Sequence, residues 1–246
     1  MRKGRLIIDE PSSGRWNMAV DEALFKTAHN NFNFPTTLRL YWWNPPCVSI
    51  GRRQDFTVVN LKECKERGID VVRRIGGGSA VYHEDELTYC FITRLDALPE
   101  PKAKEWRDIF NAVLGNYGIT PDPQGESDCS KEETCFASSG DDEPTVSGRK
   151  WVGSARRRSK DVFLQHGSIL LKRQPDFFQR LVNKPLVDNS IGLAELAPDI
   201  TRDDLGAVIS EKIGTACSIN FSASSFTPEE TGQAHKIICS PLFPAA

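Results

Sequence analysis

Two of the seven cysteines in this chain, Cys129 and Cys135, fall in a polar stretch outside any apolar pattern. A loop thiol is a candidate nucleophile where a nearby cation lowers its pKa. Cys47, Cys64, Cys90, Cys217 and Cys239 sit in apolar strand or helix patterns and read as buried, inert thiols. Lys150 lies in Gly148-Arg149-Lys150-Trp151-Val152-Gly153-Ser154-Ala155. Pointing inward, it needs an anion or a developing negative charge; at a strand edge it is a solvated cation. His83 and His166 each stand beside an apolar strand, as a structural hydrogen-bonding group or as a base. The run from Arg73 to His83, RRIGGGSAVYH, follows one strand pattern and leads into another. A phosphate loop or dinucleotide fingerprint requires a helix after its glycines, so both are excluded. Gly76, Gly77 and Gly78 let backbone amides approach a ligand beside two arginines, or they form a tight hairpin with solvated arginines.

Periodicity supplies the elements that must position these residues. Helical spacing over 13–29 predicts a helix with Ser12 or Ser13 as cap. Thr37 to Trp43 and Cys47 to Ile50 read as strands around the Asn44-Pro45-Pro46 turn, and Asn60 caps a short helix ending at Gly68. Ile69 to Val72, Ala80 to His83 and Leu87 to Ile92 are strand patterns, whereas 101–117 carries a helical stripe. From Ile119 to Asp142 the pattern stops, which predicts a long loop carrying Cys135. Lys150 to Ala155 and Val162 to Leu171 read as hairpin strands, and Asp176 to Asn183 as a short helix. Thr201 to Gly214 reads as a helix, Cys217 to Phe221 as a strand, and Thr227 as the cap of a last helix. Short strand-to-strand links favour an α+β fold with a mixed, largely antiparallel sheet and flanking helices, built as a single domain over residues 1–246.

Composition narrows the function. The 246 residues carry 31 Lys plus Arg against 33 Asp plus Glu, a balance that speaks against nucleic acid as the partner. No run approaches ~18 apolar residues, so no membrane span is expected. The first apolar run stops at Ile8, too short for a secretory signal. Neither a zinc spacing nor a disulfide framework is present, so no metal is expected, and free thiols point to the cytoplasm.

Taken together, several segments resemble the catalytic domain of the biotin/lipoate protein ligase and lipoyl/octanoyl transferase superfamily, over nearly the whole chain. They are Met18 to Leu24, Leu38-Arg39-Leu40-Tyr41 with Asn44-Pro45-Pro46, Arg73 to His83, Gly148 to Ala155 and Gln165 to Leu171. The resemblance implies a class II synthetase-like fold. Glu86-Leu87-Thr88-Tyr89 and Cys135-Phe136-Ala137-Ser138 are similar to the cysteine-dependent octanoyltransferases of Gram-positive bacteria, while Gly76-Gly77-Gly78-Ser79 leans toward the ligase form. That likeness implies octanoyl transfer from octanoyl-acyl carrier protein to a lysine of a lipoyl-domain protein such as glycine cleavage H protein, without cofactor. Cys135 would carry the acyl thioester and Lys150 would lower its pKa. Arg73, Gly76, Gly77, Gly78, His83, Gly153, Ser154, Ala155 and His166 would bind substrate, with amides of the Gly-rich turn or of 153–155 holding the oxyanion. An octanoyl tail of about seven buried carbons is worth at most ~5–6 kcal/mol, and Val71, Val81, Tyr82, Ile169 and Leu170 would line its slot. The alternatives are an ATP-dependent lipoate–protein ligase, a transferase moving octanoyl between lipoyl domains, and a non-catalytic binding protein. The short stretch after the last helix leaves little room for an accessory domain, which favours a transferase.

Overall fold

The computed structural model describes residues 1–123, 143–183 and 188–239. Cys129 and Cys135 therefore lie outside the described residues, as does most of the expected 119–142 loop.

The strands are β1 (Arg2–Ile8), β2 (Thr37–Tyr41), β3 (Cys47–Ile50), β4 (Asp70–Arg73), β5 (Val81–His83), β6 (Glu86–Arg94), β7 (Thr145–Val146), β8 (Arg149–Lys150), β9 (Val152–Arg158), β10 (Val162–Leu170) and β11 (Ile219–Ala223). The principal helices are α1 (Gly14–Asn30), α2 (Leu61–Glu66), α3 (Ala103–Asn116), α6 (Arg202–Cys217) and α7 (Pro228–Ile238); single turns α4 (Phe178–Leu181) and α5 (Leu193–Leu196) lie between α3 and α6. A six-stranded sheet runs β11-β1-β2-β6-β10-β9, and a three-stranded sheet runs β4-β3-β5. In the larger sheet β1 pairs parallel with both β11 and β2, and the remaining three pairings are antiparallel. This is the mixed α+β architecture that the strand pattern predicts.

Period-two alternation sorts the side chains onto two faces. Leu38 and Leu40 of β2, Leu87, Tyr89 and Phe91 of β6, and Phe163 and Ile169 of β10 pack with α3 and α6. The opposite face carries Tyr41, Cys90, Ile92 and Leu164, packed against the Met18, Ala19, Ala23 and Leu24 stripe of α1 and against α7. That second face also receives Arg39, Thr88, His166 and Ser168, which share strand parity with these residues. Ser13 caps α1 by accepting from the Trp16 amide at 3.3 Å, and Thr227 closes a capping box with Glu230 on α7.

Some expected elements are trimmed. The strand expected from Lys150 to Ala155 is broken at Trp151, whose ring is buried in the core. Only one helical turn forms in 176–183. Cys239 is exposed and Cys217 half-buried, whereas Cys47, Cys64 and Cys90 are buried as expected.

Candidate functional site

A small cavity is lined by residues of both sheets and of α1. Its wall is formed by Met18 of α1, Tyr41 of β2 and Trp43 just after it, Ser49 of β3, Val81 and His83 of β5, Thr88 of β6, Gly153 to Ala155 of β9, and His166 to Ser168 of β10, with Arg74. The cavity is half-open, and the free space within it is about 30 Å³. Five expected site residues therefore converge here: His83, Gly153, Ser154, Ala155 and His166. Gly76 joins them from the glycine turn, since a Cβ built there would lie 2.6 Å from His166 Nε2 and 2.8 Å from the Ala155 methyl. Gly77 faces open space. Gly78 has a φ of +83° and its carbonyl backs onto Gly51, where a Cβ would lie 1.8 Å from the Gly78 oxygen.

Arg73, expected to bind substrate, does not line this cavity, whereas its neighbour Arg74 does. Arg73 turns away to the carbonyls of Gly51, Arg52 and Gln54 and stacks over Phe56. Arg74 is buried at the cavity and donates to the carbonyls of Ser49, Gly77 and Ser79, so it braces the glycine turn. The expected slot lining also changes. Of its members only Val81 lines the cavity; Tyr82 packs with Phe177 and Phe178, Val71 packs into that same core and Ile169 joins the sheet core. Leu170 packs against Val81. Met18, Tyr41 and Trp43 supply the apolar lining instead.

Two buried carboxylates, neither marked by the reading of single residues, organise the histidines. Asp21 on α1 accepts from Arg39 Nη1 at 2.8 Å, Tyr41 Oη at 2.9 Å and His166 Nδ1 at 3.0 Å. Burial pushes the Asp21 pKa upward, but the His166 hydrogen bond and the Arg39 charge outweigh it and hold the carboxyl below its ordinary range. The ionised Asp21 thus takes the Nδ1 side of the imidazole, and Nε2 is the ring nitrogen on the other side. Among the described residues that Nε2 has no hydrogen-bond partner. Glu86 Oε1 accepts from His83 Nδ1 at 2.9 Å, Trp43 Nε1 at 3.0 Å and Ser168 Oγ at 2.7 Å. His83 Nε2 in turn takes the Ser49 hydroxyl at 2.7 Å, and the ring stacks on Trp43 at 4.1 Å. A charged residue inside an otherwise apolar stripe was the available signal: Asp21 between Val20 and Leu24, Arg39 between Leu38 and Leu40.

Lys150 points inward, and its anion is Glu143. The Nζ pairs with one Glu143 oxygen while the Ser154 amide donates to the other, and lysine and glutamate are both buried. The hairpin β7–β8 positions the lysine: Ser147 and Gly148 take φ values of +54° and +72° in its two-residue turn. Asp122 accepts from the amides of both turn residues and from the Thr145 hydroxyl. The Ser154 amide, expected to hold an oxyanion, thus already holds a carboxylate. Burial first, with neighbouring acids, raises the thiols of Cys47 and Cys90 well above the ordinary value, and raises Cys64 and Cys217 to about 11. Thiols so raised are poor nucleophiles at neutral pH.

Residues 13–213 match the lipoyl protein ligase A/B catalytic domain, a span that includes both sheets' site strands and the whole cavity. The chain belongs to that family. Within it, the chain is 32% identical over 265 residues to octanoyltransferase LipM of Brevibacillus brevis, covering 97% of this chain and 95% of the relative. It is 36% identical to octanoyltransferase LipM of Symbiobacterium thermophilum, covering 74% of this chain and 70% of that one. In fold it is similar to a lipoate-protein ligase A crystallised with ATP, at a TM-score of 0.82 and 20% identity over 98% of this chain and 96% of the ligase. In this lipoyl protein ligase A/B domain, His166 and the Gly76 turn meet at the cavity, and buried Lys150 stands behind its Ser154 wall, joined to it through Glu143. No described helix is long and apolar enough to cross a membrane.

Proposed function

We propose that this chain is an octanoyltransferase of lipoate biosynthesis, moving octanoyl from octanoyl-acyl carrier protein to a lysine of a lipoyl-domain protein, glycine cleavage H protein being the first candidate, in the cytoplasm. The observation that carries the reading is the likeness to octanoyltransferases along 97% of the chain. The nucleophile is Cys135, on the resemblance of its segment and because burial disfavours the thiolate at four of the other cysteines.

In the first step the Cys135 thiolate attacks the thioester carbonyl, the bond from that carbon to the carrier sulfur breaks, and the carrier leaves as a thiolate that takes its proton from solvent. The developing oxyanion requires a cation and an amide. Lys150 Nζ and the Ser154 amide are such a pair, and the Glu143 carboxylate bridging them occupies the place an oxyanion would take. The glutamate must therefore yield as the acyl group arrives. In the second step the acceptor lysine amine attacks the enzyme thioester, its proton passes to His166 Nε2, and the Cys135 thiolate is expelled. Asp21 supports that transfer by stabilising the imidazolium that forms.

Intact mass after incubation with octanoyl-acyl carrier protein, without ATP, tests the reading. One octanoyl adduct is expected on wild type, released by hydroxylamine and absent from Cys135→Ala. No adduct on wild type, with acylation only when ATP and free acid are supplied, would assign the chain to the ATP-dependent ligases instead.

A further inference from the structure

A second cavity, of about 280 Å³, lies immediately beyond the first and shares Met18 and Arg74 with it. Around it stand Lys26, Arg52, Arg73, Arg74 and Arg157, against a single carboxylate, Glu22. That carboxylate is already paired to Lys26 at 2.8 Å. Five cations around one paired acid, in a chain of net charge −2, is a concentration of positive potential that calls for an anionic ligand. Arg73 donates to backbone carbonyls, and Arg74 to backbone carbonyls and the Ser49 hydroxyl. Arg157 differs: its Nε and Nη1 are buried and lack a hydrogen-bond partner among the described residues. Guanidinium donors buried without an acceptor are costly, so a missing acceptor is the physical explanation.

The placement identifies the ligand class. Along β9, Ala155 lines the first cavity and Arg157 the second, a displacement of about 7 Å on the same strand face. Along α1, Met18 borders both and Lys26 stands about 12 Å farther out. The geometry points to the basic cavity as a phosphate-ester subsite, holding the phosphodiester of the donor's phosphopantetheine arm while the thioester lies in the first cavity. This rests on the octanoyltransferase reading and deepens it. An acyl-adenylate does not suit the spacing, because its phosphate is bonded directly to the acyl carbonyl and must share the carbonyl's cavity. A pantetheine arm separates phosphate from thioester by two amide-linked segments and spans the distance.

Two measurements test the subsite. Calorimetric titration with 4′-phosphopantetheine is expected to show binding to wild type, at least tenfold weaker binding to Arg157→Ala and Arg52→Ala, and none of comparable strength for pantetheine. Turnover without ATP is expected to favour octanoyl-phosphopantetheine over octanoyl-pantetheine by about tenfold in kcat/KM, with that ratio collapsing toward one in Arg157→Ala. Equal binding of both compounds by wild type overturns the subsite, as does an unchanged ratio in the variant. A large fall in the Arg157→Ala melting temperature would also overturn it, by making Arg157 a structural brace. Failure of the transferase reading is distinct: no acyl transfer without ATP from either donor. In that case weaker ATP binding by Arg157→Ala would reassign the cavity to a nucleotide phosphate and overturn the pantetheine assignment.

Discussion

His166 and His83 face one cavity from two strands, and the Nδ1 of each is hydrogen-bonded to a buried carboxylate. Their other nitrogens differ. His83 Nε2 is closed by Ser49, whose hydroxyl also takes a bond from Arg74, and its ring is held against Trp43. His166 Nε2 has no such partner among the described residues, and it lies close to Gly76, where an added Cβ would come within 2.6 Å of it. The same carboxylate–imidazole unit is thus closed at its far nitrogen in one place and, among the described residues, without a hydrogen-bond partner there in the other. What decides is the group on the far nitrogen, so histidine identity and carboxylate pairing alone do not mark a base.

The comparison is sharpest at the carboxylates, where the largest effect is expected. Asp21 holds Arg39, which is fully buried and shared with Asp9. Asp21→Asn removes a partner from a buried cation and should cost about 3–5 kcal/mol in denaturant unfolding. Glu86→Gln should cost about 1 kcal/mol, because the amide oxygen can still accept at Oε1 and the Oε2 it replaces has no hydrogen-bond partner among the described residues. Equal losses would break the distinction between the two clusters. Asp21 also gives a pH signature. Its folded pKa is depressed, so its stabilisation is present in full above the unfolded value near ~3.9 and is lost as pH falls through the lower folded value. The gap between wild type and Asp21→Asn should be constant from neutral pH down to about 5 and narrow only below about 4.

Next in size is the effect on rate. His166→Gln should lower acyl transfer to the acceptor amine by about a hundredfold while leaving stability nearly unchanged, since Asp21 keeps Arg39 and Tyr41. His83→Gln should do the reverse, costing about 1–3 kcal/mol through Ser49 and Glu86 with a small change in rate. Single-turnover aminolysis of the acyl-enzyme, measured beside unfolding curves, separates the two. A His83 variant as slow as the His166 variant would show that the closed network also takes part in proton transfer.

Legibility in the sequence follows the same division. Helix α1 and strand β10 follow from local periodicity and capping, and the glycine turn from its composition, because each of these signals lies within a few neighbouring residues. The convergence of Gly153 to Ala155 with His166 is also legible, since both segments read as hairpin strands and the register pairs Ala155 with His166. Arg73 and Arg74 could not be told apart, because which of two adjacent arginines turns inward depends on where β4 ends. The slot lining failed for a related reason. Tyr82 and Val81 alternate across β5, and which of the two faces is the cavity depends on how the small sheet is docked, a tertiary fact. The pairing of Glu143 with Lys150 was hidden because seven positions and a left-handed turn separate partners that the hairpin brings together.

Two adjacent glycines give the smallest and most discriminating contrast. Gly76 and Gly77 are equivalent by composition, yet a Cβ on Gly76 would press on His166 Nε2 and Ala155 whereas one on Gly77 meets nothing within 4 Å. Gly77→Ala reduces the freedom of the unfolded chain without a new contact, so it should stabilise by about 0.4–1 kcal/mol and leave turnover within twofold. Gly76→Ala must move the imidazole or the turn, because β9 backbone holds Ala155 and offers no flexible end to give way. Displacing a proton acceptor by a fraction of an ångström should cost roughly tenfold in turnover, less than deleting the imidazole. Turnover unaffected by Gly76→Ala would mean that the face of Nε2 toward the glycine turn is not the face that receives the proton. The substrate would then approach from the Trp43 side, and His83 rather than His166 would border the path of the amine.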